Sequence, residues 1–242
     1  SRLKNVITFN TIHNFPGEDY IFQFGAIMGS LMEMKHKKAI RNIDIPISCS
    51  KSIAEKFKLK YKINSSWIQN GIEINDFDIT TGKKHELRKK LALPTDKIIF
   101  IVSGSLIPRK NPELIIKGFH QFDEKKSVLI FIGGGKLYKS LREQYAKNSI
   151  IFLNNVLNVS EYLSSSDYYI SASSSEGLPN SVLEALSSGL PTVLSDIPAH
   201  REIVGKGYTY LFKKGSVDDL CGKMKLIIQD DYQSLSVGGI NI

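Results

Sequence analysis

In KIIFIVSGS (97–105), five apolar residues from Ile98 to Val102 follow one another with no polar residue between them, and the run ends at Ser103-Gly104. A strand with one face in water alternates apolar and polar residues. A strand apolar on both faces is covered on both, as in a parallel sheet. Outward from this stretch the pattern recurs in SVLIFIGGG (127–135), SIIFLNN (149–155), DYYISAS (167–173) and PTVLSD (191–196). The intervals read as helices: one from about Asn111-Pro112 through Phe119, then 136–147, 158–166 and 180–188, the last closed by Gly189. Strand and helix in alternation predict an α/β fold with a doubly wound parallel sheet.

Upstream, KNVITFNTIHN (4–14) and IPISCS (45–50) read as strands, and 21–41 and 51–57 as helices. These look like the last pieces of another α/β unit and are too few for a complete sheet. Between the two parts, residues 62–96 are broken by Asn64, Gly71, Asn75 and Pro94, with a Lys-rich helix expected over 81–93. The expected organisation is a partial Rossmann-like domain over 1–62, a linker over 63–96 and a complete Rossmann-like domain over 97–236.

Composition narrows the function classes. Of 242 residues, 42% are hydrophobic and 23% charged, as in ordinary globular proteins. No window approaches the roughly 20 apolar residues that span a bilayer. Cys49 and Cys221 stand alone, which suits neither a zinc site nor a disulfide framework. HExxH and GxSxG are absent, so zinc hydrolysis and serine-nucleophile chemistry lack support. The net charge of +8 is uneven: residues 1–90 carry 16 basic and nine acidic side chains, residues 91–242 carry 16 and 15. No zinc module or aromatic-studded strand accompanies that charge, so nucleic-acid binding is not expected. The sequence starts at Ser1 with no charged-then-apolar leader pattern, and a cytoplasmic location is the expectation.

Two strand-to-helix loops carry the candidate chemistry. In SSSEGLPNSVLEALSSGLPTVLSD (173–196), Gly177-Leu178-Pro179 lies between a strand end and a helix start. Ligands of open α/β sheets collect at the carboxyl ends of strands, and helix N-termini offer unpaired N–H groups to an anion. A phosphate fits over Gly177 to Asn180, with Glu184 one turn into the helix in reach of ribose hydroxyls and Glu176 on the loop. By spacing alone, the same carboxylates also suit a solvated helix face and a dipole-complementing turn. In GSLIPRKNP (104–112), Arg109 and Lys110 bring a bidentate fork and a point charge to the same sheet edge. The glycine run 133–135 reads as a tight turn. His13 ends the first strand, where a structural and a functional role both remain open.

Together these residues resemble a known family. EGLPNSVLEALSSGLPTVLSDIPAHREIV (176–204) is similar to the donor-site segment of retaining glycosyltransferases of family 4, enzymes of GT-B architecture. VSGSLIPRKNP resembles the family's G-x-L-x-x-x-K loop, FIGGG its second strand, WIQNGIEINDF (67–77) its N-G-I/V-D linker, and TIHN its T-x-H strand end. The resemblance implies that Arg109, Lys110 and Gly104 bind the donor diphosphate and that Glu184 binds the ribose. It gives Glu176, with the backbone at Gly177 and Leu178, to the transferred sugar and its phosphate, and brings His13 to the sugar from the acceptor-side domain.

The implied reaction moves a hexose or N-acetylhexosamine from a nucleotide sugar, UDP- or GDP-linked, to a saccharide or lipid-linked acceptor in bacterial surface polysaccharide assembly. No cofactor and no obligatory metal are implied. A complete enzyme of this architecture has two full Rossmann-like domains, so a nucleotide-sugar-binding remnant without turnover is the alternative expectation. Residues 21–41 combine Phe22, Phe24, Ile27, Leu31 and Met34 with Lys35, Lys37, Lys38 and Arg41. That combination suits contact with an anionic membrane face and equally a core-facing helix with a cationic end.

Overall fold

The computed structural model describes residues 6–72, 81–122, 125–205 and 207–230, with the side chains of 81 and 82 outside the description. The chain divides into two units. One runs to Gly71 and includes Ser175–Pro179; the other runs from Ile72 to Ser174 and resumes at Asn180.

In the second unit, strands β4 (Ile98–Ser103), β5 (Ser127–Ile132), β6 (Ile150–Leu153), β7 (Tyr168–Ser171), β8 (Thr192–Ser195) and β9 (Leu211–Phe212) form one parallel sheet in the order β6-β5-β4-β7-β8-β9. Numbered from its own first strand, this is the 3-2-1-4-5-6 order of the Rossmann fold, and the order reverses between β4 and β7. All six residues of β5 are buried, as its unbroken apolar run requires. Phe131 stacks on Phe152 at 5.0 Å between ring centres and Phe100 on Tyr168 at 5.3 Å, so aromatic contacts tie neighbouring strands. The helices are α3 (Thr81–Lys90), α4 (Pro112–Gln121), α5 (Tyr138–Tyr145), α6 (Val159–Ser165), α7 (Asn180–Ser187), α8 (Pro198–Val204) and α9 (Val217–Ile227). In α7, Val182, Ala185 and Leu186 face the core, the spacing of one helical face, and Gly189 closes the turn after it with φ 68°.

The first unit is smaller. Strands β1 (Phe9–Ile12), β2 (Ile45–Ser48) and β3 (Ser66–Trp67) pair in parallel in that order. Helix α1 (Pro16–Ile40) starts five residues before the expected 21, because Pro16 sits at its first position and Glu18 and Asp19 complement the dipole. Gly25 leaves helical geometry inside it. Helix α2 (Lys51–Lys56), capped by Ser50, runs into a π turn over Phe57–Tyr61. Phe15, Phe57 and Tyr61 pack ring on ring at 4.9–5.4 Å and form the centre of this unit. Burial and the Glu33 carboxylate, which accepts from the phenol at 2.5 Å, push the Tyr61 hydroxyl above its ordinary range. Residues 73–80 of the linker, which include Glu73 at the acidic position of the N-G-I/V-D motif, and 231–236 at the end of the expected second domain lie outside the described residues.

Candidate functional site

The loops of interest in the second unit leave β4 and β7, the two strands that flank the reversal in strand order. In open α/β sheets the crevice beyond the carboxyl ends of such strands is where ligands bind. After β4 the chain passes Gly104 (φ 122°), makes a 3-10 turn at Pro108–Lys110 and enters α4 through Asn111. Arg109 and Lys110, both half-buried, sit in that 3-10 turn.

Asn111 is left-handed, with φ 48° and ψ 50°, which an L side chain adopts only when something holds it there. Its amide does so: Nδ2 donates to the Ala172 carbonyl at 3.0 Å and to Ser174 Oγ at 2.6 Å, using both hydrogens. The Ser174 amide in turn donates to the Arg109 carbonyl at 2.8 Å. Three hydrogen bonds thus tie the cationic loop to the loop after β7. The glycine run 133–135 supports the same loop from β5. A side chain on Gly133 would meet Gly104 O at 2.4 Å, and the Leu106 amide donates to Gly134 O at 2.7 Å.

Glu184 is half-buried on α7. Its main-chain carbonyl accepts from the Ser187 and Ser188 hydroxyls at 2.9 and 2.7 Å, while its carboxylate makes no hydrogen bond or ion pair among the described residues. Burial raises its pKa above the ordinary glutamate value.

The other expected residues belong to the first unit. His13 is exposed, and its carbonyl accepts from Cys49 Sγ at 3.2 Å. Gly177 is buried against that carbonyl: a Cβ on it would lie 1.7 Å from His13 O and 2.9 Å from Cys49 Sγ, so only glycine fits. The Gly177 carbonyl accepts from Ser50 Oγ at 2.9 Å, and that of Leu178, itself buried, from Asn70 Nδ2 at 3.4 Å. Glu176, half-buried, follows Ser175, whose hydroxyl donates to Glu18, the carboxylate that also pairs with Lys56. Ser174, Ser50 and Glu18 have no site role in the sequence expectations, and Asn111 enters them only as a helix start.

The second unit, which carries these loops, is matched by known proteins. The family described as glycosyl transferases group 1 matches residues 83–237. The chain belongs to that family. Among curated relatives of the chain, the UDP-Gal:alpha-D-GlcNAc-diphosphoundecaprenol alpha-1,3-galactosyltransferase of Escherichia coli is 26% identical over 175 residues, 68% of this chain and 45% of the relative. The O-antigen biosynthesis glycosyltransferase WclY of Escherichia coli is 25% identical over 197 residues, 80% of this chain and 55% of the relative. The chain therefore spans about half the length of these relatives. Among solved structures, Anabaena HepE in complex with UDP and glucose superposes with a TM-score of 0.79 at 18% identity, covering 96% of this chain and 65% of HepE. That likeness establishes the GT-B kind of α/β architecture. Among the described residues no helix is long and apolar enough to cross a membrane.

Proposed function

We propose that the chain takes part in transfer, with retention, of a hexose or N-acetylhexosamine from a nucleotide sugar to a saccharide or lipid-linked acceptor of a bacterial surface polysaccharide, as a family 4 enzyme. One observation carries the reading. The loop bearing Arg109 and Lys110 is bonded to the loop after β7 at the reversal of strand order, and the Glu184 carboxylate on the next helix has no protein partner among the described residues. In this reading residues 97–236 hold the donor, 63–96 link, and 1–62 come from the acceptor-side domain.

The chemistry asks for charge stabilisation on the leaving diphosphate. Arg109 and Lys110 supply it by charge-assisted hydrogen bonds, joined by N–H groups at the start of α7. Glu184 accepts from the ribose hydroxyls. Glu176 and the backbone at Gly177 and Leu178 meet the sugar and its phosphate, and His13 approaches the sugar. Two cations and helix-end N–H groups suffice for this role, so no obligatory metal is proposed. HepE holds UDP and glucose, and the Escherichia coli relative is named for UDP-galactose, which makes UDP the first nucleotide to try.

A thermal-shift panel of UDP, GDP, ADP and their sugars, repeated with Glu184→Ala and Arg109→Ala, tests the reading. A nucleotide that stabilises the parent and neither variant supports it; one that shifts all three equally, or none that shifts the parent, overturns the site. A coupled transfer assay then separates turnover from binding alone.

Membrane contact belongs to the same proposal and rests on α1. Ile27 is 91% and Met34 61% exposed, with Lys35, Lys37, Lys38 and Arg41 at the end of the helix. Flotation with anionic but not with neutral liposomes, lost when the three lysines become Gln, is the expected result. Equal flotation on both membranes refutes an electrostatic contact.

A further inference from the structure

His200 on α8 is wholly buried, and the sequence reading gives it no role. Its Nδ1 lies 2.7 Å from the Ser195 carbonyl. A carbonyl only accepts, so a hydrogen resides on Nδ1. On the other side of the ring, Nε2 lies 3.3 Å from Ser171 Oγ, a hydroxyl that can donate or accept. Ser195 Oγ donates to the Ser173 carbonyl at 2.6 Å, and the Ser173 and Ser171 hydroxyls meet at 3.4 Å. The imidazole thus closes a ring of hydrogen bonds that joins the carboxyl ends of β7 and β8. Ser173 is the last residue of that ring and the one before Ser174, whose amide anchors the Arg109 carbonyl.

We infer that His200 is a positioning residue for the nucleotide site: through Ser195 and Ser173 it fixes the main chain that holds the Arg109 loop. An apolar side chain would fill the same space and leave the Ser195 carbonyl with the Ile197 amide alone and the Ser171 hydroxyl with Ser173 alone, so the imidazole supplies the second partner of each. The inference rests on the reading of Arg109 as a diphosphate ligand, and its test has an arm that does not.

The experiment compares the parent with His200→Phe, which keeps a ring without polar atoms, and His200→Asn, whose side-chain N–H can replace that of Nδ1. Amide hydrogen exchange at Ser174, measured by NMR, reports the anchoring; Leu129 and Phe131 in β5 report the fold. Exchange at Ser174 is expected to be about tenfold faster in the Phe variant with β5 protection retained, and the UDP dissociation constant to rise by about tenfold. The Asn variant recovers most of both. Parental exchange at Ser174 in a folded Phe variant overturns the inference. Should the Phe variant not fold, Ser195→Ala, which removes the hydroxyl's bond to the Ser173 carbonyl and its contact with His200 Nδ1, carries the same comparison. Should the parent bind no nucleotide, the proposed donor site fails, and exchange at Ser174 still decides the role of His200.

Discussion

The two edges of the six-stranded sheet use the same kinds of side chain for opposite ends. At the amino edge, Asp167 precedes β7 and accepts from Arg88 at 2.6 Å, from Lys84 at 3.1 Å and from the Ile99 amide at 2.8 Å. Arg88 also donates to the carbonyls of Ser165 and Lys97 at 2.8 and 3.0 Å. Burial holds Lys84 below the usual lysine range, and Asp167 partly offsets that. Every strong group there serves another group of the protein. At the carboxyl edge an arginine and a lysine occupy one loop, and the carboxylate of Glu184 is left without an ion pair or hydrogen bond among the described residues. A carboxylate that burial desolvates without a compensating partner costs stability. Such groups are expected where a ligand completes them.

The difference is broken most directly at the amino edge. Arg88→Ala leaves a partly buried carboxylate and two carbonyls short of a partner, a loss of about 3 kcal/mol. The midpoint of thermal unfolding should fall by about 10 °C, while the UDP affinity of the folded variant stays within about twofold of the parent. A large loss of affinity with unchanged stability would reverse the roles assigned to the two edges.

Arg109→Ala is the reciprocal test. Removing a bidentate contact to a phosphate should weaken UDP binding by about 30-fold in titration calorimetry, with the midpoint of the unliganded protein nearly unchanged. Stability lost with affinity retained would make Arg109 a structural loop residue.

How far each edge can be read in the sequence follows from the range of its interactions. Strands β4 to β8 are visible because each is apolar on both faces, a property of consecutive residues. β3 and β9 have two residues each, too few to show a period. The sequence does carry a signal for α9: Ser216 caps it, Asp218 and Asp219 follow, and Leu220, Met224 and Ile227 share one face. Arg109, Lys110 and Glu184 are legible as site candidates because a loop after a buried strand has a known place in the fold. The groups that hold those loops are not. Asn111 meets residues 61 and 63 positions away, Ser50 meets Gly177 across 127, and His200 joins two strands. Nothing in the local sequence of a lone Asn, Ser or His distinguishes it from a solvated one.

The smallest expected effect is the most specific to the unpartnered carboxylate. Glu184→Gln should weaken UDP binding by about tenfold, since an amide accepts a hydroxyl less strongly than a carboxylate does. It should also make the unliganded protein slightly more stable at pH 7. The sign follows from linkage. Burial raises the Glu184 pKa in the folded chain, so the folded state binds its proton more tightly than the unfolded state does. Stability is therefore greatest below the unfolded value and declines as pH rises from there through the raised folded value. The penalty is complete once pH exceeds the raised folded value, and glutamine removes it. Midpoints of parent and variant should converge in acid, and the excess loss of UDP affinity in the parent on acidification should begin above the ordinary glutamate value of 4.5, with no such limb in the variant. If both proteins lose affinity in parallel, the titration belongs to the nucleotide alone and the carboxylate does not hold the ribose.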